Sequence, residues 1–307
     1  MTRRLPLLLG VAAASALLLA GCAGTATGSS ASSSDDGKLN VVASTNVYGE
    51  ILDEIGGDDI DVTSIISSAS QDPHEFEASA KDQLTVKNAD LIVQNGGGYD
   101  SFIQSLITSS GSTAPVIVGA AAESDYPGED NLEGFNEHVW YDQEAMSVVA
   151  DEIADELTKL DPDHADDFST RVAAFKSRLS ELRDSLGAIA ADHTGEKVFV
   201  TEPVPLYLTT AAGIQNATPP EFSEAVEEGQ DVPPATLLES LNLVKNKDVQ
   251  VVIVNAQTGG AETTQIIDAA KAAGVPVLEF SETLPEGQTY ISWMQANVKE
   301  LGDALKQ

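Results

Sequence analysis

The chain has 307 residues, 42% of them hydrophobic, which is enough for two domains with packed apolar cores. Its 49 acidic residues outnumber its 16 Lys and Arg residues, so the formal net charge is −33. This balance excludes nucleic acid as a partner, because contacts to phosphate need a basic surface. It suits a protein that meets cations, but an ordinary acidic surface gives the same balance, so charge alone does not indicate metal binding.

The N-terminal segment has the pattern of a bacterial lipoprotein signal peptide. Arg3 and Arg4 precede an apolar run over 5–20, which is shorter than the ~20 residues of a membrane-spanning helix. The run leads into Leu-Ala-Gly-Cys, so we expect cleavage of a signal peptide over 1–21 and attachment of a lipid to Cys22. The alternatives are an ordinary signal peptide and an uncleaved anchor. Cys22 is the only cysteine, which excludes an internal disulfide.

Residues 22–37 are mainly Ser, Ala, Gly and Thr, a composition typical of a flexible tether. A tether between a lipid and a folded domain predicts that the protein functions at the extracytoplasmic face of the cell membrane. From residue 38 onward, short β-rich runs alternate with longer helical stretches. The runs cover 39–44, 62–66, Leu91–Gln94 and Val116–Val118, and then 197–201, 249–255 and 275–280. This alternation predicts an α/β fold with two parallel-sheet lobes, an N-terminal lobe over 38–161 and a C-terminal lobe over 195–307.

A long amphipathic helix is predicted between the lobes, over 162–194. Apolar residues recur there at spacings of four and three on one helix face: Phe168, Val172, Phe175, Leu179, Leu182, Leu186 and Ile189. Asp161 is the predicted N-cap and Pro162 the first helical residue. The alternative is a coiled-coil dimer helix, but a stripe of this length between two lobes needs no partner. We therefore expect a monomer whose rigid helix packs along both lobes.

Two of the four histidines lie in polar loops that follow predicted strands. His74 is in the segment Asp-Pro-His-Glu-Phe-Glu, and His138 is in the segment Glu-His-Val-Trp-Tyr-Asp. His164 and His193, near the two ends of the linker helix, are expected to be solvated surface residues. A lone His in a loop is more often a surface residue than a ligand, so neither His74 nor His138 is specific on its own.

Two acidic residues hold the matching places in the second half of the chain. Glu202 directly follows the run over 197–201, and Glu282 follows the run over 275–280. Ligands of open parallel sheets bind beyond the carboxyl ends of the strands. All four candidate side chains should therefore converge on the cleft between the lobes, although no local motif brings them together.

The segments around these residues resemble those of the zinc/manganese substrate-binding lipoproteins of metal ABC importers (solute-binding protein family 9). The resemblance covers 39–305 and rests on the two histidine segments, on Thr-Glu-Pro at 201–203 and on Phe-Ser-Glu-Thr at 280–283. It implies four metal ligands: His74, His138, Glu202 and Glu282. The chain departs from the family pattern at Glu282, where Asp is usual, and over 121–137, which is acidic where many zinc importers carry histidines.

The resemblance implies a binding protein, not an enzyme, that captures one divalent transition-metal ion as cargo and delivers it to the membrane permease of an ABC importer. Two imidazoles and two carboxylates form a set that zinc accepts and that suits manganese, which prefers oxygen ligands. A site of nitrogen and oxygen ligands nevertheless binds zinc more tightly than manganese in the Irving–Williams order. We therefore expect Mn(II) or Zn(II) as the cargo.

Two other functions remain open on sequence grounds. A secreted metallohydrolase is compatible with His and Glu ligands on an α/β scaffold, but the chain has no His-Glu-x-x-His motif. A siderophore- or haem-binding lipoprotein has a similar plan of two lobes and a helix. Its pocket would be rich in aromatic residues or Arg, whereas only 5% of this chain is aromatic. Adhesion as an added role is also open.

Overall fold

The structure, a computed structural model, describes residues 37–307 apart from 69, 70, 72 and 75. The predicted signal peptide, the predicted lipid site at Cys22 and nearly all of the predicted tether lie outside the described residues. Within the described ranges, no helix combines the length and the apolar composition needed to cross a membrane.

The N-terminal lobe is built on a parallel sheet. Its strands are β1 (Leu39–Thr45), β2 (Ile60–Ile66), β3 (Leu91–Gln94) and β4 (Val116–Val118). Its helices are α1 (Asn46–Gly56), α2 (Ala80–Lys87), α3 (Ser101–Ser110) and α4 (Gln143–Leu160). The strands lie in the order β2-β1-β3-β4. The last five residues of β1 are buried, because apolar clusters cover both faces of the sheet.

Helix α5 (Ala165–His193) joins the lobes and follows a short 3-10 turn over Pro162–His164. Its 29 residues span about 44 Å at a rise of ~1.5 Å per residue. The predicted apolar stripe is confirmed, since six of its seven residues are buried and the seventh, Ile189, packs against the same core. On the N-terminal side α5 lies against α1 and α4.

The predicted start of this helix is wrong in one detail. Asp161 precedes the 3-10 turn, and its side chain makes no capping hydrogen bond. Its Oδ2 lies 2.6 Å from Nδ1 of His164, and this contact raises the pKa of His164. An imidazole offers the carboxylate a charge-assisted hydrogen bond, which is stronger than one from a neutral backbone amide.

The C-terminal lobe repeats the plan of the first. Its strands are β5 (Lys197–Val200), β6 (Gln215–Asn216), β7 (Val251–Asn255) and β8 (Val277–Phe280). Its helices are α6 (Leu206–Ala211), α7 (Pro220–Glu227), α8 (Pro234–Lys245), α9 (Ala261–Ala273) and α10 (Tyr290–Leu305). The parallel sheet has the order β6-β5-β7-β8. Sequence analysis missed β6, because its two exposed residues form no apolar run.

One hydrophobic core continues through both lobes. It contains Val41 of the first sheet, Val251 of the second and the apolar stripe of α5, which also lies against α6 and α10. Each sheet has a separate, smaller cluster on its other face. The side chain of Asn46 also exchanges two hydrogen bonds with the backbone of Leu284, which links α1 to the segment before α10.

Candidate metal centre

Loops at the carboxyl ends of the two sheets carry the predicted ligands. His74 lies in the loop after β2, and His138 directly precedes a 3-10 turn over Val139–Tyr141. Glu202 comes two residues after β5, and Glu282 two residues after β8. Because the strands of each sheet are parallel, these loops leave each sheet at one edge.

Three of the four predicted ligands come together across the lobes. His74, His138 and Glu282 each offer a ligand atom, and these atoms lie within 4.8 Å of one another. Nε2 of His74 is 3.8 Å from Oε2 of Glu282. His138 is fully buried and Glu282 nearly so, whereas the side chain of His74 is 29% exposed. Two imidazoles from the N-terminal lobe thus face a carboxylate from the C-terminal lobe.

The protonation state of His138 follows from its neighbours. Its Nδ1 lies 2.7 Å from Oδ1 of Asn136, whose Nδ2 donates to the carbonyl of Pro203. Oδ1 is therefore the acceptor, and the proton of the neutral imidazole is on Nδ1. Nε2 is left with its lone pair, buried and without a hydrogen-bond partner in the described part of the chain. Burial, followed by the charge of His74, lowers the pKa of His138 well below its usual value, so the ring is neutral at pH 7.

Tyr99 forms the wall between the two histidines. Its ring lies edge-on to His74, with centroids 5.2 Å apart, and 4.7 Å from the ring of Trp140. Trp140 in turn contacts His138 at a centroid distance of 5.2 Å. Burial, followed by the charge of Glu282, raises the pKa of Tyr99 well above its usual value, so the hydroxyl keeps its proton. The rings restrict the orientations that the imidazoles can adopt.

A glycine turn brings Tyr99 to the cleft. Residues 96–98, shortly after β3, are glycines with positive φ, a conformation that side chains disfavour. A Cβ at Gly96 would also lie 2.5 Å from the side chain of Val118. The carboxylate of Asp100 accepts a hydrogen bond from the amide of Gly96 at 2.8 Å and fixes the turn.

The carboxylates of Glu202 and Glu282 share the side-chain amide of Asn255, the last residue of β7. Nδ2 of Asn255 donates to Oε2 of Glu202 at 2.8 Å and to Oε1 of Glu282 at 2.6 Å. The hydroxyl of Thr258 donates to Oε1 of Glu202. Both oxygens of Glu202 thus accept hydrogen bonds. Among the described residues, the ligand group contains His74, His138 and Glu282 but not Glu202. The side-chain amide of Asn255 connects Glu202 to that group.

Gln257 connects Glu282 to the loop that carries His74. Its amide oxygen accepts hydrogen bonds from the backbone N–H groups of Glu282 at 2.6 Å and Thr283 at 3.2 Å. Its Nε2 donates to the carbonyl of Gln71 at 3.4 Å. One loop of the C-terminal lobe therefore orients a carboxylate of the site and also touches the N-terminal lobe.

Two further carboxylates line the open side of the cleft. Glu137 and Glu227 each place an oxygen within 4.8 Å of a ring nitrogen of His74 and of each other. Burial, followed by the charges of Glu137, Glu202 and Glu282, raises the pKa of Glu227 to about 9. Burial also raises the pKa of Glu137. Carboxylates this close disfavour one another's ionised forms, and a nearby cation favours them.

Sequence reasoning missed Asn255, Gln257 and Glu227. Asn255 carries a usable signal, because a polar residue that ends a buried strand is the feature that identified Glu202. Glu227 has no such signal, because it ends α7 and the preceding strand, β6, is only two residues long.

The other two histidines lie apart from the cleft. Nε2 of His164 is 3.5 Å from Asp59, and its side chain is 44% exposed, as expected of a surface residue. Nδ1 of His193 is 3.1 Å from Glu196, and its side chain is only 15% exposed, less than predicted. Neither belongs to a ligand group in the described ranges.

The chain is similar to known metal-transport proteins along most of its length. Residues 41–304 match the ZnuA family, described as zinc-uptake complex component A, periplasmic. The manganese-binding lipoprotein MntA of Halalkalibacterium halodurans is 27% identical over 301 residues, which cover 95% of this chain and 96% of the relative. The iron ABC transporter substrate-binding lipoprotein MtsA of Streptococcus pyogenes serotype M1 is 27% identical over 325 residues, which cover 99% of both chains.

A solved structure has the same fold. The periplasmic zinc-binding protein TroA from Treponema pallidum matches with a TM-score of 0.74 and 20% sequence identity. The match covers 88% of this chain and 99% of TroA, so the two lobes and the connecting helix are common to both. Since the family match spans nearly all of the described chain, this protein belongs to the ZnuA family.

Proposed function

We propose that this protein is the extracytoplasmic substrate-binding component of an ABC importer and that its cargo is a divalent transition-metal ion. The family is one of zinc uptake, and the relatives MntA and MtsA are named as lipoproteins for manganese and iron. The observation that carries the proposal is the convergence of His74 and His138 with Glu282 from the opposite lobe. The captured ion passes from this cleft to the membrane permease of the importer.

The side chains of the cleft are prepared for a cation before it arrives. His138 is neutral, and Asn136 leaves the lone pair of Nε2 available to a metal ion. The carboxylate of Glu282 supplies negative charge, which lowers the cost of burying a dication. Glu202 can complete the set of four when one of its oxygens exchanges the hydroxyl of Thr258 for the ion.

The ligand types favour manganese or zinc as the cargo. Carboxylate oxygen is the ligand that manganese prefers, and bidentate carboxylates raise the coordination number above the four that zinc usually takes. The Irving–Williams order nevertheless predicts tighter binding of zinc in vitro. We propose that the two carboxylates, Glu202 above all, set the preference, and that metal analysis of protein purified from its own host identifies the cargo.

We propose that the mature protein is held at the outer face of the cell membrane by a lipid on Cys22 and acts there as a monomer. The names of MntA and MtsA as lipoproteins support the anchor. Cys22→Ala should release the protein from membranes into the medium and abolish labelling by a fatty-acid probe. Membrane retention of this variant would contradict the anchor without affecting the metal site.

The family favours ion capture over the two alternatives. A metallohydrolase needs an open metal position with a general base beside it, whereas the donors of this cleft are shared between two lobes, as capture and release require. A siderophore or haem pocket needs aromatic or Arg walls for a large ligand. The aromatic rings here pack against the candidate ligands themselves. We therefore propose a binding protein and not an enzyme.

The proposal is tested by substituting each histidine in turn. His74→Ala and His138→Ala should weaken the binding of Mn(II) and Zn(II) by more than the ~10–100-fold that loss of an outer-shell partner costs. His164→Ala and His193→Ala are the matched controls, and their Kd values should equal that of the wild type. A competition titration against one chelator measures all four variants. Equal binding by the four would refute the site.

A further inference from the structure

A second group of ligand atoms lies on the solvent side of the first. His74, Glu137 and Glu227 bring a ring nitrogen and two carboxylate oxygens within 4.8 Å of one another. These three residues line an open cleft of about 680 Å³. His138 and Glu282, which form the inner group with His74, are at most 2% exposed and lie behind that cleft. The outer group therefore stands between solvent and the inner one, and it joins the two lobes.

Glu227 and His138 approach each other without a direct hydrogen bond. Oε1 of Glu227 is buried and accepts no hydrogen bond from the described residues. It lies 4.0 Å from Nε2 of His138, which is also buried and unpaired within those residues. The distance is too long for a hydrogen bond, and the nitrogen presents its lone pair because Nδ1 carries the proton. These two atoms face each other away from water, and either a proton or a cation between them offsets the cost of burying them.

We infer that His74, Glu137 and Glu227 form an outer position for a divalent transition-metal ion, at which the ion waits before it reaches the inner site. A neutral imidazole has one lone pair, so His74 serves one ion at a time and the two positions are alternatives. The ion moves inward when it exchanges the carboxylates of Glu137 and Glu227 for His138 and Glu282. The inner destination rests on the proposed function, whereas the outer position depends on two carboxylates that the inner site does not use.

The test disables the inner site by substituting His138 and measures the Mn(II) binding that remains. Mn(II) is titrated into the full chain, and free Mn(II) is followed by its electron paramagnetic resonance signal. His138→Ala should keep weaker binding of one ion. Adding Glu227→Gln or Glu137→Gln to His138→Ala should reduce this residual affinity by at least the ~10-fold that loss of an outer-shell partner costs. Adding Glu282→Gln should reduce it by a smaller factor, because Glu282 gives the outer position charge but no ligand atom.

Glu224→Gln, an exposed change on the same helix as Glu227, is the matched control and should leave the residual binding unchanged. The inference is overturned if His138→Ala binds no ion, or if its residual binding falls more with Glu282→Gln than with Glu227→Gln and Glu137→Gln. Glu137 and Glu227 are substituted in separate variants. If one variant fails to fold, the other still tests the inference. Failure of the proposed function looks different, because the wild type would then bind no Mn(II).

Discussion

The two halves of the candidate site are built from different chemistry. The N-terminal lobe supplies imidazoles that pack against the aromatic rings of Tyr99 and Trp140. The C-terminal lobe supplies carboxylates that share the amide of Asn255. An imidazole contributes one lone pair and no charge, whereas a carboxylate contributes charge and one or two oxygens. We expect both halves to contribute affinity, the N-terminal half by the same factor for all metals, and the C-terminal half alone to govern the preference among them.

Loss of charge from the C-terminal half should have the largest effect. Glu282→Gln keeps the size of the side chain but removes the anion that lies 3.8 Å from His74. We expect the Kd values for Mn(II) and Zn(II) to rise by about 100-fold or more, above the range for an outer-shell partner. Glu279→Gln, an exposed change in β8, is the control in the same chelator competition. Wild-type affinity of Glu282→Gln would remove Glu282 from the site.

A smaller and metal-independent loss is expected in the N-terminal half. Asn136→Ala removes the oxygen that lies 2.7 Å from Nδ1 of His138, so the ring loses both its orientation and its fixed tautomer. Affinity should fall by about 10–100-fold, the usual cost of losing a second-shell partner, and by the same factor for both metals. Asn131→Ala, an exposed change in the same acidic loop, serves as the control. A changed ratio of zinc to manganese affinity would argue against the division between the halves.

Glu202→His tests the preference assigned to the C-terminal half. The substitution replaces a hard anionic ligand with a neutral nitrogen, which a tetrahedral zinc site accepts and manganese does not favour. Manganese affinity should fall more than zinc affinity, with a change in their ratio on the order of tenfold. Competition of both metals against one chelator gives the ratio for the variant and the wild type. A parallel loss of both metals would mean that Glu202 ligates without discriminating, and an unchanged wild-type profile would exclude it.

The smallest expected effect concerns stability, at a carboxyl of the N-terminal lobe outside the ligand set. Burial, followed by the charges of Asp142 and Asp125, raises the pKa of Glu123 to about 7. The folded protein therefore holds this proton up to about pH 7, whereas the unfolded chain loses it near pH 4.5. The free energy of unfolding should thus fall as the pH rises between these values.

Glu123→Gln cannot ionise, so it should flatten this fall and stabilise the metal-free protein at pH 8. The gain should be on the order of 1 kcal/mol, since solvent screens a partly exposed carboxyl. Denaturant unfolding at pH 5 and pH 8 in the presence of a chelator measures it. Glu133→Gln, an exposed change in the same loop, should leave the pH profile unchanged. An unchanged profile for Glu123→Gln would contradict the raised pKa.

Helical periodicity and the alternation of strands with helices along the chain could predict the architecture because both are local patterns. The apolar stripe of α5 follows the helical period, and the lobes follow from alternating strands and helices. Glu202 and Glu282 were identifiable because they follow buried apolar strands, where a parallel sheet places its ligands. Strand β6 escaped detection because its two exposed residues have no apolar pattern, and Glu227 beyond it escaped for the same reason.

Finer features of the site depend on contacts between distant segments. Sequence analysis predicts both Glu202 and Glu282 as ligands, but Thr258 and Asn255 engage both oxygens of Glu202. That outcome depends on how the loop after β7 folds, which has no periodic pattern. The lone pair at Nε2 of His138 likewise depends on which atom of Asn136 faces the ring, and Pro203 of the other lobe decides this.

The core that runs through both lobes along α5 also has a consequence for modularity. A fragment that ended near residue 161 or began near 194 would leave the apolar surface that α5 now covers in contact with water. A chimaera that took one lobe from a relative would have to match side-chain volumes along the whole length of that helix. Metal specificity in this architecture is therefore free to diverge through substitutions in the loops, whereas exchange of an entire lobe would first disrupt the fold.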